Sequence, residues 1–130
     1  MADFRGQTVW LCLWQVGWPQ CRDEVRCLQS FQEEARDKRL AIVGVNVADD
    51  HRIVQTFLRD EAITFPCVLD SSAEAETLFK EGYGIMFDGA PVNFIIGPDG
   101  TVVDAWSGYD ADHARAAAVL QEVGVVDAVR

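Results

Sequence analysis

The chain is short of histidine and positive charge, has too few cysteines for a disulfide scaffold and has no long apolar run; each shortage removes a class of function. Its two histidines, His51 and His113, lie near none of its four cysteines, Cys12, Cys21, Cys27 and Cys67. No zinc-ligand spacing exists, and four scattered thiols do not make a disulfide scaffold. Neither a metal nor a cofactor is implied. No apolar stretch approaches the ~18 residues of a membrane span, so insertion of this chain into a membrane is not expected. Only 11 basic residues face 21 acidic ones, and the resulting net charge of -10 repels phosphate backbones and anionic headgroups. Nucleic acid is therefore a poor partner. The first eight residues lack the apolar core of a signal peptide, so the chain as it stands reads as cytoplasmic; an upstream signal or anchor would make it periplasmic or membrane-anchored. No linker, repeat or low-complexity stretch divides it, and residues 1–130 read as a single domain, long enough to bury roughly two-thirds of the surface its unfolded form exposes.

What is present is an alternation of strands and helices. Thr8 to Trp14 is a short apolar run of bulky residues, which predicts a strand buried on both faces. Trp10, Trp14 and Trp18 also share a helical spacing, but Gly17 and Pro19 break that pattern. From Pro19 to about Lys38, Val25, Leu28, Phe31 and Ala35 recur at helical intervals, with Pro19 in the first turn and Asp23 and Glu24 near the positive end of the dipole. Leu40 to Val47 predicts a second buried strand. Asp49 or Asp50 then caps a helix through Arg59 that turns Ile53, Val54, Phe57 and Leu58 inward. Phe65 to Leu69 is a short strand, and Ser72 caps a helix over Ala73 to Lys80 that Gly82 and Gly84 end. Val92–Ile96 and Thr101–Trp106 form an antiparallel hairpin around Gly97-Pro98-Asp99-Gly100. A last helix runs from about Asp110 to Val123. Strand, helix, strand, helix implies an α/β fold with parallel pairing in its first half.

Three ordered pieces, Val9-Trp-Leu-Cys-Leu-Trp, Cys21-Arg-Asp-Glu-Val and Leu40-Ala-Ile-Val-Gly-Val-Asn, closely resemble the TlpA-like branch of thioredoxin-like proteins, related to the AhpC/TSA redoxin family. Phe65-Pro-Cys-Val-Leu-Asp, Tyr83-Gly-Ile, Gly89-Ala-Pro-Val-Asn-Phe-Ile-Ile and Asp99-Gly follow in the family's order, so the resemblance covers about residues 3 to 123. It implies a thioredoxin fold, a central mixed sheet flanked by helices, with the extra helix-strand insertion of TlpA-like and peroxiredoxin-like proteins. It also implies a site. The family carries CxxC at the start of its first helix, where an exposed, acidified thiolate attacks and a second thiol resolves the mixed disulfide. Here the motif reads Trp18-Pro19-Gln20-Cys21. Cys21 matches the resolving cysteine, and Trp18 stands where the nucleophile would be. A second alignment takes Trp18 as the tryptophan before a deleted first cysteine; it loses the nucleophile equally.

In the peroxidase relatives the column of Cys21 holds the peroxide-reactive cysteine, with pocket residues where this chain has Trp14 and Trp18. Arg22 and the helix start would act to lower the Cys21 pKa; the alternative is that Cys21 is a small buried hydrophobe with no chemistry. Pro91 matches the family's cis-proline, which implies a substrate-docking edge at Ala90-Pro91. Glu24 matches a frequent acidic position, though the helix dipole alone explains an acid there. Cys12, Cys27 and Cys67 are read as packing residues.

Two functions follow from this pattern. One is a redoxin limited to single-cysteine chemistry through Cys21, a thiol-disulfide oxidoreductase or thiol-dependent antioxidant enzyme acting on protein thiols and disulfides or on a small thiol. The other is a catalytically inactive binding module using the surface of Trp14, Trp18, Pro19, Ala90 and Pro91, with the tryptophans as aromatic anchors.

Overall fold

The computed structural model describes residues 6–35, 39–47, 49–70, 91–108 and 114–122. They form strand β1 (Thr8–Trp14), helix α1 (Pro19–Ala35), β2 (Leu40–Val47), α2 (His51–Asp60), β3 (Cys67–Asp70), β4 (Val92–Ile96), β5 (Val102–Ser107) and α3 (Ala114–Glu122). The sheet runs β3-β2-β1-β4-β5. The strands β1, β2 and β3 are parallel, whereas β4 is antiparallel to both β1 and β5. This is the mixed, helix-flanked sheet of a thioredoxin fold.

Strand β1 is central, and all seven of its residues are buried. Its side chains alternate between two cores. Trp10, Cys12 and Trp14 join Val25 and Leu28 of α1, Val54 of α2, and Ala116, Val119 and Leu120 of α3. Val9, Leu11 and Leu13 join Val43, Val45, Val92 and Phe94 on the opposite face. Burial of both faces explains why the sequence of β1 shows no polar alternation. The one polar residue set deep in β4, Asn93, accepts a 2.9 Å hydrogen bond from the Trp10 indole, which satisfies a donor inside the first core.

Most of the expected order is present, with informative departures. The hairpin is closed by Gly97 N–H to Thr101 O and Gly100 N–H to Gly97 O, with Gly100 at φ +87°, a conformation glycine adopts without cost. Asp50 caps α2 by accepting from the Arg52 N–H. Val54 is buried on that helix and Phe57 and Leu58 are half-buried, but Ile53 is 56% exposed rather than inward. It lies one position off the stripe that the sheet covers. β3 starts at Cys67, not Phe65; Phe65 is buried ahead of the strand, and the Pro66 carbonyl accepts from Gly44 N–H. In α3 the buried positions are Ala116, Val119 and Leu120, whereas Ala114 and Ala118 are exposed. The expected helix over Ala73 to Lys80, its Ser72 cap and its glycine stop lie outside the described residues, as does His113.

Gly44 sits in register between Cys12 of β1 and Cys67 of β3. A methyl group there would come 2.9 Å from Cys67 Sγ and 3.2 Å from both Phe65 and the Trp14 Nε1. The absent side chain therefore makes room for the Cys67 sulfur and the Trp14 ring. We expect Gly44→Ala to lose about 1 to 3 kcal/mol by overpacking. Adding Cys67→Ala, which removes the nearest atom, should recover part of that loss. Chemical denaturation of the two single variants and the double variant checks the coupling, and strict additivity would contradict it.

Candidate functional site at the start of helix α1

The loop from Gln15 to Trp18 joins the end of β1 to α1, and its backbone is fixed by the strand next door. A single oxygen of Asp49, Oδ2, accepts from Val16 N–H at 2.7 Å and from the buried Asn46 Nδ2 at 2.9 Å. The Gln15 side-chain amide donates to Val47 O at 2.8 Å. From the helix side, the Arg22 guanidinium donates to Val16 O at 2.7 Å. The loop is thus tied at its first two residues to the C-terminal end of β2 and the turn that follows it, where parallel α/β sheets place their ligand sites.

Within this frame α1 begins at Pro19, whose fixed φ suits a first turn and whose missing N–H costs nothing there. The Trp18 carbonyl accepts from the N–H groups of Cys21 and Arg22 at 3.0 and 3.1 Å, which places positions 18 and 21 one turn apart. Trp18 itself is 48% exposed, and its indole N–H is held at 2.7 Å by the Gln15 side-chain oxygen. Pro19 is also exposed.

Cys21 faces the other way. It is fully buried in the first core, and burial, assisted by Glu24 and Asp49, pushes its thiol up to about 11 against a backbone hydrogen bond from Gln15 and the nearby Arg22 charge. The expected lowering by the helix start and Arg22 is therefore reversed, because desolvation of the thiolate outweighs both. Cys67 is pushed up by burial to about 12, and Cys12 is also raised, by burial first and then by Glu24, Cys21 and Cys67. All four cysteines stand as thiols.

The remaining candidates divide between core and surface. Trp14 is not a surface anchor: it is wholly buried, with its ring 5.4 Å from that of Phe57. Its even-numbered position in β1 turns it under α2, which covers it. Pro91 is buried too, and its carbonyl already accepts from Gly108 N–H at 2.8 Å. Ala90 lies outside the described residues, and with it the isomer of the Ala90-Pro91 bond. Glu24 was explained from sequence by the helix dipole, yet it lies beyond the first turn and is 2% exposed. The signal was legible, because Cys21, Glu24, Val25 and Leu28 form one i, i+3, i+4, i+7 stripe. Asp49, Asn46 and Gln15 gave no such signal; their roles depend on contacts between separate segments. Among the described residues no group of side chains is arranged to hold a metal ion, and no helix is long and apolar enough to cross a membrane.

A model of the AhpC/TSA family matches residues 1–105. The chain belongs to the AhpC/TSA family. It is 26% identical over 108 residues to the thiol-disulfide oxidoreductase ResA of Bacillus subtilis, covering 83% of this chain and 57% of that protein. It is 30% identical over 101 residues to the sporulation thiol-disulfide oxidoreductase A of the same organism, covering 75% of this chain and 58% of that protein. The chain thus spans little more than half the length of these relatives. Among solved structures, a thioredoxin-family thiol:disulfide interchange protein from Chlorobium tepidum superposes with a TM-score of 0.78 at 20% identity, over 94% of this chain and 83% of the other. StoA from Bacillus subtilis superposes with a TM-score of 0.68 at 26% identity, over 86% and 82%. This AhpC/TSA member is therefore a thioredoxin-fold domain similar to thiol-disulfide oxidoreductases.

The sealed thiol has a consequence for stability. An unfolded cysteine ionises near 9, whereas Cys21 in the fold holds its proton to about 11. Between these values the unfolded chain loses the proton first, so stability is highest below pH 9 and falls as pH rises, by about 2 to 3 kcal/mol for this one group. Denaturant titrations from pH 8 to 10.5 should show that fall, and Cys21→Ala should make its slope shallower whatever the variant's stability at pH 8. An unchanged slope would show that Cys21 ionises alike in both states.

Proposed function

We propose that this AhpC/TSA domain is a redoxin that retains the polypeptide-facing surface of its fold without dithiol turnover: Trp18 presents that surface, and Cys21 beneath it stands in the resolving position as a neutral thiol. The observation that carries this reading is the opposite placement of the two residues, an exposed tryptophan at position 18 and a buried cysteine one turn later; the resemblance is what assigns the attacking sulfur to position 18. An indole cannot attack a disulfide. With a pKa of about 11, only about one Cys21 in ten thousand is a thiolate at pH 7, so spontaneous attack from this position is slow. A half-exposed tryptophan braced by Gln15 is, by contrast, the kind of rigid aromatic group that dominates protein interfaces.

Single-cysteine chemistry is the second reading, and one feature favours it. The Gln15 backbone and the Arg22 charge both act to stabilise a thiolate at Cys21. Any covalent step would then be exchange of the Cys21 thiolate with a disulfide: a new S–S bond forms between Cys21 and one substrate sulfur, the old one breaks, the other substrate sulfur leaves as thiolate, and a thiol from outside this chain then attacks the mixed disulfide and releases Cys21. Substrates of this kind are protein disulfides or a small thiol in its oxidised form.

The test is to measure insulin-disulfide reduction by the wild-type chain and by Trp18→Cys. We expect no dithiol-driven turnover from wild type, and from the variant measurable turnover together with loss of two free thiols on oxidation. The substitution should cost about 1 kcal/mol or less, since the indole is half-exposed and its hydrogen bond lies at the surface. Wild-type turnover at the variant's rate would overturn the reading.

A further inference from the structure

Beside the Trp18 loop lies an open groove of about 400 Å³ lined by Val16, Arg52, Ile53, Thr56 and Phe57. Its lining is mostly apolar, and Ile53, which the pattern of α2 would have sent inward, is 56% exposed along it. Val16 connects it directly to the Trp18 loop. The same short segment whose side chain lines the groove is pinned by Asp49 and Arg22 and leads two residues on to the exposed indole. Being open on one side, the groove does not enclose a small molecule. It suits a side chain projecting from a larger partner.

Arg52 sets the charge of that partner. Its backbone N–H serves the α2 cap, but its guanidinium enters no ion pair or side-chain hydrogen bond among the described residues. Arg26, Arg59 and Arg115 are each paired with a carboxylate, and Arg22 is held by the loop. Among the side chains that line the groove Arg52 is the charged one, while the neighbouring Asp49 and Asp50 carboxylates are engaged with the Val16 and Arg52 backbone N–H groups.

We propose that this groove binds an extended polypeptide segment in which an apolar side chain, seated between Val16, Ile53 and Phe57, is followed by a carboxylate that pairs with Arg52. The proposal rests on the reading of the Trp18 face as a polypeptide-binding surface and adds the class of sequence that face selects. The overall field attracts basic peptides, whereas the Arg52 guanidinium attracts acidic ones; at physiological salt, screening over about 8 Å leaves the local charge in control. Charge of this kind contributes selectivity more than affinity.

The experiment uses thiol-blocked protein, so that no disulfide chemistry enters, and two fluorescein-labelled octapeptides, Gly-Ser-Leu-Phe-Glu-Ser-Gly-Ser and its counterpart with Lys in place of Glu. Fluorescence anisotropy at 0.15 M salt should show the glutamate peptide binding at least fivefold tighter. Arg52→Glu should reverse the order, and Ile53→Ser should weaken both peptides. Equal binding of the two peptides, or an order unchanged by Arg52→Glu, would sink the groove proposal while leaving the Trp18 surface standing. If neither peptide binds, and Trp18→Ala and wild type give the same flat titration, the polypeptide-surface reading falls with it.

Discussion

One carboxylate oxygen organises the site. Asp49 Oδ2 accepts from the Val16 backbone and from the Asn46 side chain, and so joins the turn after β1 to the end of β2 at the one place where their chains diverge. Asn46 is buried, so without Asp49 its amide would lose a partner that water does not replace, a penalty of about 1 to 3 kcal/mol. The same carboxylate adds to the burial that keeps Cys21 protonated. Loop position thus depends on one group, which also adds a smaller push to a thiol kept neutral mainly by burial. The strength of the Asp49 tie comes from geometry, two donors converging on one atom beside an internal, largely buried strand, rather than from its charge alone.

From that tie the rest of the arrangement follows. Fixing Val16 leaves Trp18 to turn outward, braced by Gln15, and lets the Trp18 carbonyl start α1 with Cys21 facing the sheet. Below it, Trp14 and Cys67 share the space that Gly44 leaves open. On the other flank Arg26 ties α1 to α2 by pairing with Glu61 and lying 5.7 Å from the Phe57 ring centre. An exposed pair of this type adds little stability. Membership of the AhpC/TSA family and similarity to thiol-disulfide oxidoreductases account for this scaffold. They do not account for an indole at position 18.

The order of elements was legible in the sequence because runs such as Thr8–Trp14 and Leu40–Val47 have only one way to bury so many apolar groups, and because Gly97-Pro98-Asp99-Gly100 encodes its own turn. The site was legible in part. Positions 18 and 21 are assigned through the resemblance alone, and the orientation of neighbouring residues is not legible from it. Trp14 belongs to a strand covered on both faces, so no alternation marks which of its residues meets solvent. Of the docking edge expected at Ala90-Pro91, only Pro91 lies within the described residues; it is buried, and its carbonyl accepts from Gly108 N–H. Ile53 sits at the margin of a helical stripe, where a shift of one position separates core from groove. For Cys21 the sequence leaves an acidified thiol and a buried one both open: proximity to a helix start is visible in sequence, whereas the desolvation that overrides it depends on what packs above.

The central claim is that Cys21 is held as a buried neutral thiol under an exposed indole. Its most direct test is the rate at which Cys21 alone, resolved by mass spectrometry, reacts with iodoacetamide in the folded protein between pH 6 and 10. The account predicts slow labelling at neutral pH, behind the half-buried Cys27, with a rate still climbing at pH 10. Rapid labelling of Cys21 at pH 7, levelling off below pH 8, would contradict it and restore the picture of an acidified, attacking cysteine.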